Sequence, residues 1–225
     1  MDGSAGNDAY AYALAAHDWL VNNIAYDAFM SETDEGNGVA GALLSRSTMC
    51  QGYAESFELL MRCMSDADVR MVVGKGKSED DSEWVDHAWN IINLDGLWYQ
   101  VDATFDDPVN SDRKDASHIY FARNDTGMGG DHTWNAEYWP AADSEDFRYY
   151  HESGLYAKSK KKLRSIVKKL LKKSEPTEPE LAVEGVTLKE NDLQFIYDSY
   201  DKVENILYSF TEIGDVTIVN LQLEY

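Results

Sequence analysis

The chain has 225 residues, 20 of them basic and 41 acidic, for a formal net charge of −21. Hydrophobic residues make up 44% and aromatics 12%, enough for a core and too many for a disordered acidic tail. The acidity excludes a general nucleic-acid binder, no apolar run approaches the roughly 20 residues of a membrane span, and two cysteines exclude a disulfide-built scaffold.

Met1–Asn7 has neither a basic start nor an apolar stretch, so it does not read as a signal peptide. An alanine-rich helix is expected over about Asp8 to Asn23, with His17 on its solvated side. A polar, glycine-bearing loop, Ser31 to Gly41, follows. From Cys50, the residues Tyr53, Phe57, Leu60, Met61 and Met64 keep helical period, so a buried helix starts close to Cys50, with Ser47 or Thr48 as its N-cap. Strands are expected at Val69–Val73, Asp86–Leu94 and Leu97–Asp102. Asp95-Gly96 joins the last two as a tight hairpin. Asp106-Asp107-Pro108 and Asn124–Gly127 read as surface turns, and His118 precedes a short strand, Ile119–Phe121.

The stretch Lys158 to Lys173 holds nine of the 20 bases and no acid, leaving eleven bases against 41 acids elsewhere, a balance of −30. Leu163, Ile166, Val167, Leu170 and Leu171 form one apolar stripe on a helix whose other face is basic. Packing of that stripe within its own domain is expected, ahead of adsorption to a membrane surface. Ser174–Glu180, with two prolines, is a loop. A strand (Leu181–Leu188), a helix (about Glu190–Asn205) and two strands (Ile206–Thr211 and Val216–Glu224), turned at Ile213–Asp215, complete the chain.

The chemistry concentrates on Cys50. A helix start exposes unpaired N–H groups and a partial positive charge, which favour a thiolate and can stabilise an oxyanion beside it. Cys63, 13 positions further along the same helix and about 20 Å away, reads as a small buried hydrophobe that cannot pair with Cys50. A two-residue hairpin loop pairs Leu94 with Leu97. The same register sets Trp89 opposite Asp102 and His87 opposite Thr104, on one face. His87 and Asp102 are then diagonal neighbours, so the carboxylate can orient the imidazole and leave its other nitrogen for a thiol. No histidine pair has zinc-site spacing, so no metal and no cofactor are expected.

Cys50-Gln51-Gly52-Tyr53-Ala54-Glu55, then Asp86-His87-Ala88-Trp89-Asn90, then Trp98–Pro108 with Val101-Asp102-Ala103-Thr104 at its centre, resemble the transglutaminase-like superfamily, in particular its bacterial, often cell-surface branch. Ile24–Asp27, Gly41–Leu44, Tyr120-Phe121 and Asp131–Trp134 are similar to that branch as well. The resemblance implies an α+β, papain-like fold, a nucleophile helix packed on an antiparallel sheet. It covers a catalytic domain at 8–150, and the helix and strand pattern beyond it adds a small α+β region at 158–225. It makes Cys50 the nucleophile, His87 the general base and acid, and Asp102 the orienter; a second oxyanion donor has no assigned position. The implied activity is acyl transfer from amide or peptide bonds through a thioester, as a peptidase or amidase. Protein-glutamine cross-linking, or peptide or cell-wall binding without turnover, are the alternatives. The implied partner is a protein, peptide or cell-wall peptide substrate. The location is extracellular or cell-surface within a longer precursor, or else cytoplasmic.

Overall fold

A computed structural model of the chain describes residues 8–30, 36–77, 83–107, 116–172, 178–196 and 205–224. The chain divides into two compact units, Met1–Asp146 and Phe147–Tyr225. Among the described residues, no helix is long and apolar enough to cross a membrane.

In the first unit, α1 (Ala9–Asn23) is started by Asp8, whose side chain accepts the Ala11 N–H at 3.0 Å. Its buried residues Ala13, Ala16 and Leu20 face α2 (Cys50–Met64), which buries Tyr53, Ala54, Phe57 and Met61. Between the helices, β1 (Ala25–Tyr26) runs parallel to β2 (Ser47–Thr48), with one π-helical turn, Gly41–Ser45, just before β2.

The sheet contains β3 (Val69–Gly76), β4 (Val85–Leu94), β5 (Leu97–Val101), β6 (Phe121–Arg123) and β7 (His132–Thr133). Its order is β6-β5-β4-β3-β7, antiparallel throughout. Helix α2 packs on β3 and β4, and Asn90 of β4 donates to the Ala54 carbonyl at 3.0 Å. The sheet also buries Val72, Trp89 and Ile91 with Met128 and Ala142 from the later chain, flanked by Trp98, Tyr120, Trp134 and Trp139. The fold is thus α+β, with a helix beginning at Cys50 laid on an antiparallel sheet.

The Asp95-Gly96 loop is as expected. Both residues have positive φ, 58° and 87°, which the primed hairpin turn requires, and Leu94 pairs with Leu97. The register then holds as far as Asn90 opposite Val101. The two further pairs, Trp89–Asp102 and His87–Thr104, do not form. Asp102 leaves the ladder: its N–H bonds to the Tyr120 carbonyl, and its Oδ1 accepts the N–H groups of Thr104 (2.9 Å) and Phe105 (3.2 Å). The side chain competes for backbone donors and turns the chain where a sixth strand residue was expected.

Other expectations are corrected. The N-cap of α2 is Met49, with no side-chain bond; Thr48 is buried and donates instead to the Gly36 carbonyl at 3.0 Å. Cys63 is exposed, not buried. Asn124–Gly127 is not a simple surface turn: the Asn124 side chain caps a short helix, α3 (Asp125–Met128), whose Met128 is buried. The strand after His118 begins only at Phe121, since Ile119 and Tyr120 form a turn. Residues 31–35 of the first loop lie outside the described residues.

The second unit opens with α4 (Arg148–Glu152), then β8 (Tyr156–Ala157), α5 (Lys160–Leu171), β9 (Glu180–Glu184), β10 (Asn205–Ile213) and β11 (Val216–Glu224). The sheet order is β10-β11-β9-β8, with β8 parallel to β9 and the other pairs antiparallel. The stripe of α5 is buried as expected: Leu163, Ile166, Val167 and Leu171 pack with Leu181, Val183, Val219 and Leu221. The strand expected at Leu181–Leu188 ends at Glu184, before Gly185, whose φ of 64° breaks the extended run. Within the expected Glu190–Asn205 helix, Glu190–Asp192 is a 3-10 turn; positions 197–204, like 173–177 of the proline loop, lie outside the described residues.

Candidate active site

Cys50 is the first residue of α2 and is half-buried. The parallel ladder places Tyr26 opposite Thr48, two residues before the thiol. Because Met49 provides no side-chain cap, the N–H groups of Cys50 and Gln51 have no acceptor among the described residues, whereas those of Gly52 and Tyr53 already reach the Met49 carbonyl. Two unpaired donors and the positive end of the helix therefore lie beside the sulfur.

His87 is buried near the start of β4, opposite Gly74 of β3. Its Nε2 is 2.6 Å from Asp102 Oδ2, and the Cys50 side chain lies near enough to raise its pKa. The structure thus brings Cys50, His87 and Asp102 together in one chain of contacts. Burial works to lower the basicity of His87. The charge of Asp102, its hydrogen bond and the Cys50 side chain outweigh it, and the pKa is pushed up to about 10. Burial likewise works against the Asp102 carboxylate, but His87 and His132 hold it well below the usual carboxylate range. The imidazole lies between Phe105 at 4.7 Å and Trp89 at 5.8 Å between ring centroids. Gly76 is bare beneath it: a Cβ there would meet Phe105 at 2.9 Å and the His87 ring at 3.1 Å.

Sequence reasoning missed two residues here. His132, in β7, is fully buried and bonds the same Asp102 oxygen at 2.9 Å. The Asp131–Trp134 segment signalled it by its likeness to the family, but only the β3–β7 pairing brings it across. Tyr26 is half-buried, and burial first, then the negative charges of Cys50 and Asp102, raise its pKa. Its hydroxyl therefore feels the charge of both groups.

Of the remaining histidines, His17 is placed differently from expectation. His17 is not solvated. It is fully buried, with Nδ1 3.0 Å from Asp18 and Nε2 3.0 Å from Asp106. Asp106 is correspondingly buried, and Asp107 is half-buried and accepts the Tyr53 hydroxyl, so the pair is no surface turn. His118 bonds Asp18 at 2.9 Å, and His151 stacks on Tyr156 in the second unit. Two sets, His17–Asp18–His118 and His87–Asp102–His132, gather ligand-type atoms within 4.8 Å. In both, imidazole nitrogens stand at direct hydrogen-bond distance from carboxylate oxygens.

Residues 2–103 match the core profile of the transglutaminase-like superfamily. Kyphoscoliosis peptidase from Homo sapiens is 30% identical over 94 residues, and its counterpart from Mus musculus 29%. Each match covers 39% of this chain and only 14% of the relative's length. Among solved structures, a candidate cysteine protease from Cytophaga hutchinsonii aligns at 25% identity over 42% of this chain and 31% of its own, with a TM-score of 0.36. A TGase aligns at 14% identity over 71% and 48%, with a TM-score of 0.33. The matched segment, 2–103, contains Cys50, His87 and Asp102, and it is this part of the chain that is similar to the transglutaminase-like superfamily.

Proposed function

We propose that the first unit hydrolyses amide or peptide bonds through a Cys50–His87–Asp102 triad. The observation that carries this reading is the 2.6 Å contact of His87 with Asp102 beside the Cys50 side chain, at a helix start whose first N–H groups are unpaired. Cys50 Sγ attacks the carbonyl carbon as a thiolate, with its proton already on His87. The charge that develops on the carbonyl oxygen meets the Cys50 N–H, and the Tyr26 hydroxyl serves as the second donor. As the carbon–nitrogen bond breaks, His87 gives its proton to the departing amine, and a thioester remains. A water molecule then loses a proton to His87 and attacks the thioester. The carbon–sulfur bond breaks as the acid product departs, which restores the Cys50 thiolate with the proton on His87. Asp102 keeps the imidazole oriented throughout.

Hydrolysis is preferred to cross-linking because a transferase must exclude water while admitting an amine, which calls for a covered site. The test supplies glutamine-containing peptides with a large excess of a labelled primary amine. Free acid or ammonia with little amine captured is expected. Efficient amine capture would instead assign transamidation. No turnover of either kind across a broad peptide panel would favour a binding module.

A further inference from the structure

The triad accounts for one side of the Asp102 carboxylate and leaves the other unexplained. Oδ2 accepts from two imidazoles, His87 Nε2 at 2.6 Å and His132 Nε2 at 2.9 Å. His132 also has its Nδ1 2.6 Å from Asp131 Oδ1, while the Tyr120 hydroxyl donates to the other Asp131 oxygen. Ionised carboxylates only accept, so an imidazole bonded to one at each nitrogen carries a proton at each. The side chains of His132 and Asp102 are 0% and 1% exposed, so this charge is buried. The ring centroids of His87 and His132 are only 5.5 Å apart.

We propose that His132 is a positioning residue, a permanent imidazolium that shares Asp102 with His87 and so makes His87 readier to release its proton. The proposal rests on the triad reading. With Asp102 serving His87 alone, the full carboxylate charge would hold the proton on His87 and impede its transfer to a leaving amine. A second cation on the same oxygen divides that pull. It also fixes the carboxylate plane, because Oδ1 is already held by the Thr104 and Phe105 N–H groups. Every titratable group facing the pair belongs to the argument: Cys50 from α2, Tyr26 from β1, Asp102 after β5, and Asp131 and Tyr120 beside β7. Lys75 and Asp86, on the neighbouring strands, are exposed and pair with each other at 2.9 Å.

The test needs no substrate, so its outcome is separate from that of the hydrolase reading. The chain has five histidines, few enough to assign by ¹⁵N imidazole NMR. In the unaltered protein at pH 7, both ring nitrogens of His132 are expected to show the protonated signature. A neutral tautomer there would overturn the proposal. In His132→Gln, which keeps an amide donor for Asp102 and removes the charge, the His87 titration midpoint is expected to rise by about one pH unit or more. An unchanged midpoint in a folded variant would reduce His132 to a structural contact. If the variant does not fold, the spectrum of the unaltered protein decides alone.

Discussion

The side chain of Thr48 fills the space beside Gly52, where a Cβ would lie 2.1 Å from Thr48 Oγ1. The contact locks the first turn of α2 against β2, and with it the placement of Cys50. Gly52→Ala is therefore expected to lose about 1–3 kcal/mol of stability through overpacking, and to slow Cys50 alkylation by shifting the helix start. Denaturant unfolding measures the first effect. Thr48→Ala should relieve part of the clash, so the double variant should cost less than the two single costs combined; strict additivity would show that the contact does not constrain the turn.

Asp102→Asn should leave the fold and Cys50 in place while lowering kcat on a verified substrate by roughly 10⁴-fold. The Asn oxygen can still accept from Thr104 and Phe105, which turns its amide N–H groups toward the two imidazoles. His87 must then accept through Nε2 and carry its proton on the nitrogen that serves Cys50. Full activity would mean that Asp102 does not set the tautomer.

Tyr26→Phe tests the second oxyanion donor. Removal of one such donor typically costs 10²–10³ in kcat, so a loss of about 10²-fold is expected with KM little changed. An effect confined to KM would make Tyr26 a substrate contact instead.

Cys50, not Cys63, is expected to react first with iodoacetamide at neutral pH. Because Cys63 is exposed, access alone would favour it; preference for Cys50 must come from the imidazole and the helix start. Peptide mapping after brief labelling separates the two. Faster labelling of Cys63 in folded protein would argue against an activated Cys50.

Base destabilisation should have an origin far from any substrate. Burial works to lower the His17 pKa, but the bonds to Asp106 and Asp18 outweigh it and push it up to about 9. A raised imidazole stabilises fully below its unfolded value near 6.5 and loses that contribution as pH climbs through 9, on the order of 3 kcal/mol in all. His87 adds to the same trend up to about pH 10. Urea midpoints should therefore fall between pH 7 and 9.5, and less steeply in His17→Gln. Equal slopes would remove His17 from the account.

The hairpin was legible because Asp95-Gly96 fixes both turn type and register, and the α2 start was legible because the apolar period begins at Cys50. The contact between His87 and Asp102 followed from that register even though the last two ladder pairs do not form. Burial of His17 and Asp106 was not legible. They are 89 positions apart, and each alone carries the polarity of a surface residue. His132 was hidden for the same reason: its role depends on β7 joining β3 at the far edge of the sheet from β6. The missing cap on α2 reflects Thr48 turning inward to bond Gly36, a loop contact that no local pattern encodes.

The two units each have a sheet of their own, and the buried cluster of the second is drawn entirely from residues beyond Ala157 and Ala157 itself. Cooperativity thus has two natural quanta rather than one. In differential scanning calorimetry, the total heat absorbed should exceed the van't Hoff enthalpy of the main transition. At about 0.7 kcal/mol per residue, the shorter unit alone would contribute on the order of 50 kcal/mol to that excess. Melting near the thiol and loss of the lysine-faced helix can then be recorded as separate events.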